Sequence, residues 1–535
     1  MNGLVAIRSL GARKLTIRLE RAGLEVIVSP LLGHTLCETC WRARRAATIA
    51  PKALEIHASV GEALMDAFEK FLSSSGGPVP KMQRIAIGRQ VSDLIDEANA
   101  AVEDSSGLPT LKRVDQLGLI RQETVLPLPH CQGCRFSKNG MVRKTLGHIL
   151  GRHAGVISGF KEITPVPGEP DFPRVTVATF SNSFLDPDWI VGTGSSGKGY
   201  TLEHAVESAL GEAMERYAAS TIAMMPHIHR FSELDNAISS TRFTGLTSHG
   251  PETELPWVVA RNIRSDVKRL VPASTIYFRW PASWNRFSRP TLTTSGLAAA
   301  GSLKTAIHRA FSEVVERHLF FLTWYGCHNP EMLKADEFLA AEHLNSFTSV
   351  GLRVRTMLLG SVAGVFVSAA CCSPVKWDGD RPGFALGLGT GSSIADAVQS
   401  SFLELGQVYR GLTWALSDND LRSRAKRLAS GELKVETPFD HGLLFSQRSI
   451  VQIPKPFGEA ARNLHLNYRV VSEDPEAYFV DLTPRDLMTA TGWRIVRVVI
   501  PDFIPFHAGR ISFPSGMFAA FERGALEYLG PHPLS

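Results

Sequence analysis

The chain has 535 residues, of which 44% are hydrophobic and 20% are charged, and its formal net charge is +5. This composition is typical of a soluble enzyme with more than one domain. The charge is small and dispersed, so the sequence predicts no nucleic-acid partner. Residues Met1 to Lys14 include several basic residues but no apolar run, which argues against a secretory signal. We therefore expect a cytoplasmic protein with no membrane partner.

Four of the seven cysteines form two Cys-x-x-Cys pairs, Cys37 with Cys40 and Cys131 with Cys134. Two such pairs supply the four thiolates of a tetrahedral zinc site, and four protein sulfurs leave no position open for catalysis. The spacing therefore predicts a structural zinc that joins two distant segments. A redox pair or a chance arrangement is the alternative, although no thioredoxin-like βαβ pattern surrounds either pair.

These patterns divide the chain near residue 150. We expect residues 1–150 to be a small zinc-binding, partner-docking segment that opens with strand-like residues Leu15 to Val28 and contains a flexible Ser/Gly break at 73–78. From 151 to 535, strand and helix patterns alternate without an obvious linker, which predicts one large α/β (α+β) domain.

A glycine-rich stretch, Gly192 to Gly199, resembles a phosphate-binding P-loop and precedes a helical pattern. Gly199 stands where a P-loop has a hydroxyl for magnesium, so a true P-loop is not expected. Two interpretations remain. A flexible glycine loop would carry Lys198 towards phosphates at the start of the helix, or the stretch is a surface turn.

One helical pattern occurs three times, with apolar residues on one stripe and an acid at a fixed offset from them. The copies are Leu202, Ala205, Ala209, Leu210, Glu212, Glu215, Arg216; Leu303, Ala306, Ala310, Phe311, Glu313, Glu316, Arg317; and Ile394, Ala397, Ser401, Phe402, Glu404, Gln407. Three helices with such carboxylates can converge on one cationic object, for which hydrated magnesium with nucleotide phosphates is the usual candidate. A solvated face with intrahelical ion pairs is the alternative.

Residues Thr356 to Val375 carry no charge, which raises the question of a membrane span. Gly360 and Ser361 interrupt this stretch, and Val and small residues dominate it. It therefore predicts a buried β-hairpin with a tight turn at Gly360-Ser361.

The order and spacing of these motifs resemble the YcaO ATP-dependent peptide-backbone cyclodehydratases over roughly residues 150 to 535. The residues that carry the resemblance are Gly-Lys198-Gly, Ser208-x-x-x-Glu212-x-x-Glu215-Arg216, Thr294 to Ala299 leading to Glu313-x-x-Glu316-Arg317, and Glu404-x-x-Gln407. Pro531-His532-Pro533 is similar to the proline-rich tail of azole-forming members. The two cysteine pairs resemble the zinc-binding segment that precedes the YcaO domain in SagD-like components.

The resemblance implies a cyclodehydratase that converts Cys, Ser or Thr residues of a ribosomally made precursor peptide to thiazoline or oxazoline. In this chemistry the side chain attacks the preceding amide carbonyl, and ATP then phosphorylates the amide oxygen. It further implies that Glu212, Glu215, Glu313 and Glu316 hold magnesium, while Lys198, Ser208, Glu404 and Gln407 surround the nucleotide.

The resemblance also places the tail at the active site. There Pro531 and Pro533 would stiffen the chain and hold the carboxylate of Ser535, which positions substrate or accepts a proton. A disordered end is the alternative.

The implied partners are the precursor peptide and an E1-like protein that binds its leader, with a flavin-dependent dehydrogenase as a candidate addition. A homodimer within a larger complex is the expected assembly. Ala298, Gly301 and Ser400 depart from residues common in the family. A catalytically degenerate scaffold, or a YcaO enzyme that forms thioamides or amidines, is therefore the alternative function.

Overall fold

The computed structural model describes residues 5–10, 13–20, 23–28, 36–47, 108–114, 120–129, 131, 134, 144–152, 154–181, 194–222, 226–278, 284, 286–287, 293–460, 474–507, 513–514 and 531–534. The predicted break at 73–78 lies outside these ranges. In the described part of the chain, no helix combines the length and the apolar character that crossing a bilayer requires.

The secondary structure mixes helices with antiparallel strands, which confirms the α+β class. The helices are α1 (Glu38–Ala47), α2 (Leu202–Ala219), α3 (Leu303–Trp324), α4 (Ala341–Thr348), α5 (Ile394–Ser417), α6 (Asn419–Ala429), α7 (Pro438–Ser446) and α8 (Arg485–Thr491). The strands are β1 (Val5–Leu10), β2 (Arg13–Glu20), β3 (Gly23–Val28), β4 (Thr110–Val114), β5 (Ile120–Thr124), β6 (Ile157–Glu162), β7 (Arg174–Phe180), β8 (Gly194–Gly199), β9 (His227–Arg230), β10 (Glu254–Asn262), β11 (Lys268–Pro272), β12 (Leu297–Ala300), β13 (Glu331–Leu333), β14 (Leu352–Val362), β15 (Val365–Pro374), β16 (Ala385–Gly391), β17 (Tyr478–Asp481) and β18 (Arg494–Val499).

The first of two compact units comprises Met1–Gly159, Thr179–Thr193 and Pro484–Trp493. Its sheet runs β1-β2-β3-β4-β5, with every neighbouring pair antiparallel. The predicted strand-like opening corresponds to β2 and β3. The sequence did not indicate that two later segments join this unit, and the boundary at residue 150 stays a prediction.

A buried arginine connects the parts of the first unit. Arg44 of α1 is fully buried, donates to the carbonyls of Leu126 (2.8 Å) and Pro127 (3.0 Å), and forms an ion pair with Asp486 of α8. Removing one partner from such a pair leaves an uncompensated buried charge, which is strongly destabilising. The late segment is therefore an integral part of this unit.

The second unit comprises Phe160–Ala178, Gly194–Thr483 and Arg494–Ser535. One of its sheets has the order β11-β10-β17-β18-β12, with β9 added beside β10, and another has the order β13-β14-β15-β16. Helix α3 contacts strands of both sheets, and its apolar residues belong to the largest buried cluster of the unit. A three-stranded sheet, β6-β7-β8, carries the glycine-rich stretch.

The uncharged stretch forms the predicted hairpin, β14 and β15, but the position of its turn was wrong. The two strands reverse at Ala363-Gly364, where both residues have positive φ (51° and 79°), as a two-residue hairpin turn of type I′ requires. Gly360 lies within β14, at a shift in the strand register. The Gly-Ser pair therefore marks a bulge.

Two strands carry glycines where a helix backbone lies against them. A Cβ atom on Gly197 of β8 would lie 2.1 Å from the backbone nitrogen of Ala209, and one on Gly389 of β16 would lie 2.1 Å from that of Ser401. Both distances are far below normal van der Waals contact. Glycine at these positions thus allows α2 and α5 to lie directly on their strands.

We expect Gly389→Ala to destabilise the second unit by about 3 kcal/mol, because the added methyl group must displace the α5 backbone. Gly411→Ala is the matched control, since it adds the same group to a position on α5 where a Cβ would meet nothing within 4 Å. The control should be neutral or slightly stabilising. Denaturant unfolding of both variants measures the difference, and equal stabilities would contradict the close-packing explanation.

Candidate functional site

The three sequence repeats form three equivalent strand-helix units, β8–α2, β12–α3 and β16–α5. Each helix begins directly after a hydroxyl residue whose side chain accepts a backbone N–H: Thr201 from His204 (3.3 Å), Ser302 from Thr305 (3.1 Å) and Ser393 from Asp396 (3.1 Å). These caps were missed from the sequence, although each stands directly before the first apolar residue of its repeat. Each helix therefore begins at the same point of its repeat, and the acids occupy equivalent positions on the three helices.

Gly194–Gly199 of the glycine-rich stretch form strand β8, so this part is neither a flexible loop nor a surface turn, and Gly192 and Thr193 lie outside the described residues. Residues Ser195, Gly197 and Gly199 are buried, and Ser195 Oγ donates to the Ala209 carbonyl of α2 (2.9 Å). Successive side chains of a strand point to opposite faces, so Ser196 and Lys198 share the other face.

The second face of β8 is bonded to α5. Gln407 Nε2 donates to the Ser196 carbonyl (3.0 Å) and to Ser196 Oγ (2.6 Å), and Lys198 forms an ion pair with Glu404. An amide can donate to a carbonyl, whereas a carboxylate cannot. This explains why the third repeat has Gln where the other two have Glu.

The acids of the first repeat are tied to two different strands. Glu212 accepts from the Ser196 backbone N–H (3.0 Å) and pairs with Arg216, while Glu215 accepts from the backbone N–H of Ala299 in β12 (2.8 Å). Ser208 is exposed on α2, about one turn before Glu212. The sequence-predicted residues Lys198, Glu212, Glu215, Glu404 and Gln407 are thus linked through strands β8 and β12.

The acids of the second repeat share one arginine. Arg317 lies 3.6 Å from Glu313 and 3.2 Å from Glu316, whose side chains are 24% and 11% exposed. Glu212 and Glu404 are similarly sheltered, at 29% and 18%. The intrahelical ion pairs of the predicted alternative are therefore present, but these carboxylates are sheltered rather than fully in solvent.

Burial of so many like charges raises their pKa values. Desolvation, reinforced by the charges of Glu313 and Glu212, holds the pKa of Glu215 well above its usual range. Desolvation also raises the pKa of Glu313 to about 7, against the opposing effect of Arg317. The pKa of Glu316 is raised for the same reason, despite Arg317 and Lys198. The clustered carboxylates therefore favour an additional cation.

The nearby cations are also partly desolvated. Burial lowers the pKa of Lys198 to about 8, although Glu316 and Glu212 oppose this shift. Arg497, which is buried and donates to the Thr293 carbonyl (2.9 Å), has its pKa lowered to about 10 by burial, with Glu313 opposing. A desolvated cation gains by contacting an anion. The site thus combines acids that favour a metal ion with cations that favour phosphate.

The four glutamates do not form a closed metal cage. Within the ranges that the structure describes, only the four paired cysteines make a group of three or more potential ligands within 4.8 Å of one another. Magnesium commonly uses one or two carboxylates and completes its shell with water and substrate phosphates. The spread carboxylates fit an ion that is shared with a phosphate group.

The paired cysteines of the first unit converge as the sequence predicted. Cys37 Sγ lies 3.8 Å from Cys131 Sγ, and Cys40 Sγ lies 3.6 Å from Cys134 Sγ. Four sulfurs at about 2.3 Å from one zinc ion would be about 3.8 Å apart in a tetrahedron, so the spacing fits that metal. These distances are also far longer than a disulfide bond of about 2.05 Å.

Backbone groups around the cysteines favour thiolates. The N–H groups of Cys37 and Leu128 donate to the sulfurs of Cys134 (3.1 Å) and Cys40 (3.3 Å). Burial raises the pKa of Cys40, whereas at Cys37 hydrogen bonds, chiefly from Cys40, outweigh burial and lower the pKa to about 7. The cluster therefore has both the ligand type and the supporting donors of a zinc site.

Residues Pro531 to Leu534, here called the tail segment, are packed into the second unit. Pro531 is half-buried, Pro533 is buried, and Leu534 belongs to the largest buried cluster. Ser535 lies outside the described residues. The alternative of a disordered end is therefore wrong for Pro531 to Leu534.

Comparison with known proteins places this architecture in a family. A family model described as "YcaO cyclodehydratase, ATP- and Mg2+-binding" matches residues 196–504, more than half of the chain. An uncharacterized protein of Methanothermobacter thermautotrophicus is 25% identical over 325 residues, which cover 58% of this chain and 82% of that protein.

Two solved structures share the fold. A heterocyclase in complex with substrate and cofactor matches with a TM-score of 0.62 and 16% identity, over 96% of this chain and 76% of that one. The heterocyclase TruD matches with a TM-score of 0.51 and 15% identity, over 94% and 70%. The matched family region contains all three repeat helices with their acids. The chain belongs to the YcaO family and is an ATP-dependent cyclodehydratase.

Proposed function

We propose that this enzyme converts Cys, Ser or Thr residues of a ribosomally made precursor peptide to thiazoline or oxazoline rings. The observation that carries the proposal is the meeting of three repeated helices, whose sheltered acids share a site with Lys198 and Arg317. A site with this balance of charge suits a metal-nucleotide complex that transfers a phosphoryl group.

In the proposed reaction, the peptide side chain adds to the preceding amide carbonyl and its proton is lost to a base. The oxygen of the adduct then attacks the γ-phosphorus of ATP, and ADP leaves. Expulsion of phosphate from this oxygen, with loss of the amide proton, forms the C=N bond of the ring. Phosphorylation is needed because an unmodified amide oxygen is a poor leaving group.

We assign the roles of the chain's residues as follows. Glu212, Glu215, Glu313 and Glu316 hold magnesium, which neutralises phosphate charge during the transfer. Lys198, Ser208, Glu404 and Gln407 surround the nucleotide. The ion pair with Glu404 holds the Lys198 ammonium beside α5, and Gln407 bonds β8 to the same helix.

We further propose that Pro531, Pro533 and Ser535 guide the peptide during ring formation. We also propose that an E1-like partner presents the peptide leader, with a flavin-dependent dehydrogenase as a candidate addition. The expected assembly is a cytoplasmic homodimer within a larger complex. The four-cysteine cluster holds a structural zinc in this proposal.

Metal analysis of the purified protein should find about one zinc per chain. Cys40→Ser removes a buried ligand, so zinc content should fall and the first unit should lose stability. Cys327→Ser, outside the cluster, is the control and should retain the metal. A folded, metal-free parent protein would exclude the zinc assignment.

Replacing Glu212 or Glu313 by Gln should lower ATP hydrolysis by at least about 100-fold, because each change removes a charge that supports the metal while nearly keeping the side-chain shape. Phosphate release is measured with the precursor peptide and its partner present. Glu207→Gln is the control, since Glu207 is an exposed residue of the same helix as Glu212.

Unchanged turnover in both variants would contradict the magnesium assignment. If the parent protein with peptide and partner neither binds nor hydrolyses ATP, the degenerate scaffold is the correct reading instead.

Deleting residues 530–535 should abolish ring formation while ATP binding persists, because the proposed role of this segment is to guide the peptide. Ring formation is followed by the 18 Da mass loss of each dehydration, and thermal unfolding checks that the protein remains folded. Full cyclisation by a folded, truncated protein would remove the segment from the mechanism.

A further inference from the structure

The tail segment, Pro531 to Leu534, is anchored through histidine contacts. His532 has no exposed surface, and its ring stacks on that of His441 in α7 with centroids 3.7 Å apart and planes 11° apart. The backbone N–H of His532 donates to His441 Nδ1 (3.2 Å). His532 Nε2 lies 2.9 Å from the His507 carbonyl oxygen. Both the main chain and the side chain of His532 are therefore held.

These contacts indicate which ring nitrogens donate and which accept. A backbone N–H can only donate, so Nδ1 of His441 must be unprotonated. A carbonyl can only accept, so His532 carries its proton on Nε2, and His507 carries one on Nδ1, which lies 3.2 Å from the Pro505 carbonyl. Tyr325 Oη lies 3.0 Å from His507 Nε2. The one nitrogen that these contacts require to be unprotonated is Nδ1 of His441, which accepts the His532 N–H.

Burial supplies the reason that the rings stay neutral. Desolvation lowers the pKa values of His441 and His507 to about 4 and holds that of His532 well below its usual range. Asp440, the residue before His441, is already bound by Arg424 at 2.7 and 2.9 Å. Near neutral pH, the acceptor on His441 is therefore always available.

A short hydrogen-bonded path joins this histidine cluster to the candidate site. The backbone N–H of Phe506, next to His507, donates to Ser295 Oγ (3.0 Å). Ser295 Oγ also lies 2.9 Å from Thr293 Oγ1, and the Thr293 carbonyl accepts from Arg497, the buried cation whose charge interacts with Glu313. The same turn before β12 thus contacts both the support of the tail segment and a cation that interacts with a proposed magnesium ligand.

We propose that His441 is a positioning residue for the cyclodehydratase reaction, because its unprotonated Nδ1 accepts the backbone N–H of His532 and sets the course of the tail segment. The proposal rests on the tail role given under Proposed function. The proposal gives α7 a role in ring formation, although α7 lies outside the three repeats. His441 itself makes no contact with the substrate in this proposal.

Hydrogen exchange of the tail segment tests the docking directly. Pro531 and Pro533 have no amide hydrogen, so exchange in this segment reports only on His532 and Leu534. His441→Leu removes the acceptor and should make the His532 amide exchange about 10-fold faster, the cost of one lost hydrogen bond. His441→Asn restores an acceptor oxygen near the Nδ1 position and should recover most of the protection.

Phe347→Leu is the control for general loosening, because Phe347 is fully buried in a different cluster of the same unit. It should leave exchange at His532 unchanged. Unchanged exchange in His441→Leu, no recovery in His441→Asn, or equal acceleration in Phe347→Leu would each overturn the docking role.

Assays of ring formation and ATP binding test whether the docking contact of His441 also matters for catalysis. His441→Leu should bind ATP normally but form at least 10-fold fewer rings per ATP hydrolysed, and His441→Asn should restore this ratio. Normal ring formation in a His441→Leu protein with a released tail segment would overturn the positioning role. If exchange at His532 responds to the His441 variants as expected but the parent protein forms no rings, the proposed function fails and the docking contact stands.

Discussion

Close contact between helix backbones and glycine-bearing strands is the constraint on which the candidate site depends. Without a Cβ on Gly197 or Gly389, helices α2 and α5 lie directly against β8 and β16. This contact brings Glu212 and Gln407 within hydrogen-bonding distance of the same residue, Ser196. Water is limited there, so the carboxylates interact strongly with one another and with Lys198. A larger gap would admit solvent and weaken the charge interactions of these carboxylates.

The repeat pattern allowed much of this site to be predicted from the sequence. A period of 3.6 residues identifies a helix. A fixed offset between the apolar stripe and the acid indicates that the acids of all three helices point in the same direction relative to the packed stripe. Both properties are local, and the structure confirms the three helices. The cap residues Thr201, Ser302 and Ser393 were equally local signals, and they would have set the helix starts.

Other features depend on contacts between residues far apart in sequence, and for that reason they could not be predicted. The glycine-rich stretch has the composition of a loop, yet its residues Gly194–Gly199 form a strand because α2 packs on one face and α5 bonds to the other. The hairpin turn was placed at Gly360 because glycine is the usual turn residue, whereas the positive φ of Ala363 depends on the twist of β14 and β15. Burial of His532 likewise depends on α7, about 90 residues earlier.

The ion pair between Arg44 and Asp486 has a consequence for synthesis of the protein in the cell. The two residues are 442 positions apart, so at roughly 5–20 residues per second the ribosome needs about 20 to 90 seconds to pass from one to the other. Helix α1, which carries Cys40 and Arg44, leaves the ribosome long before α8 exists. The buried pair of the first unit can therefore form only late in translation, long after all four cysteines of the cluster have been synthesised.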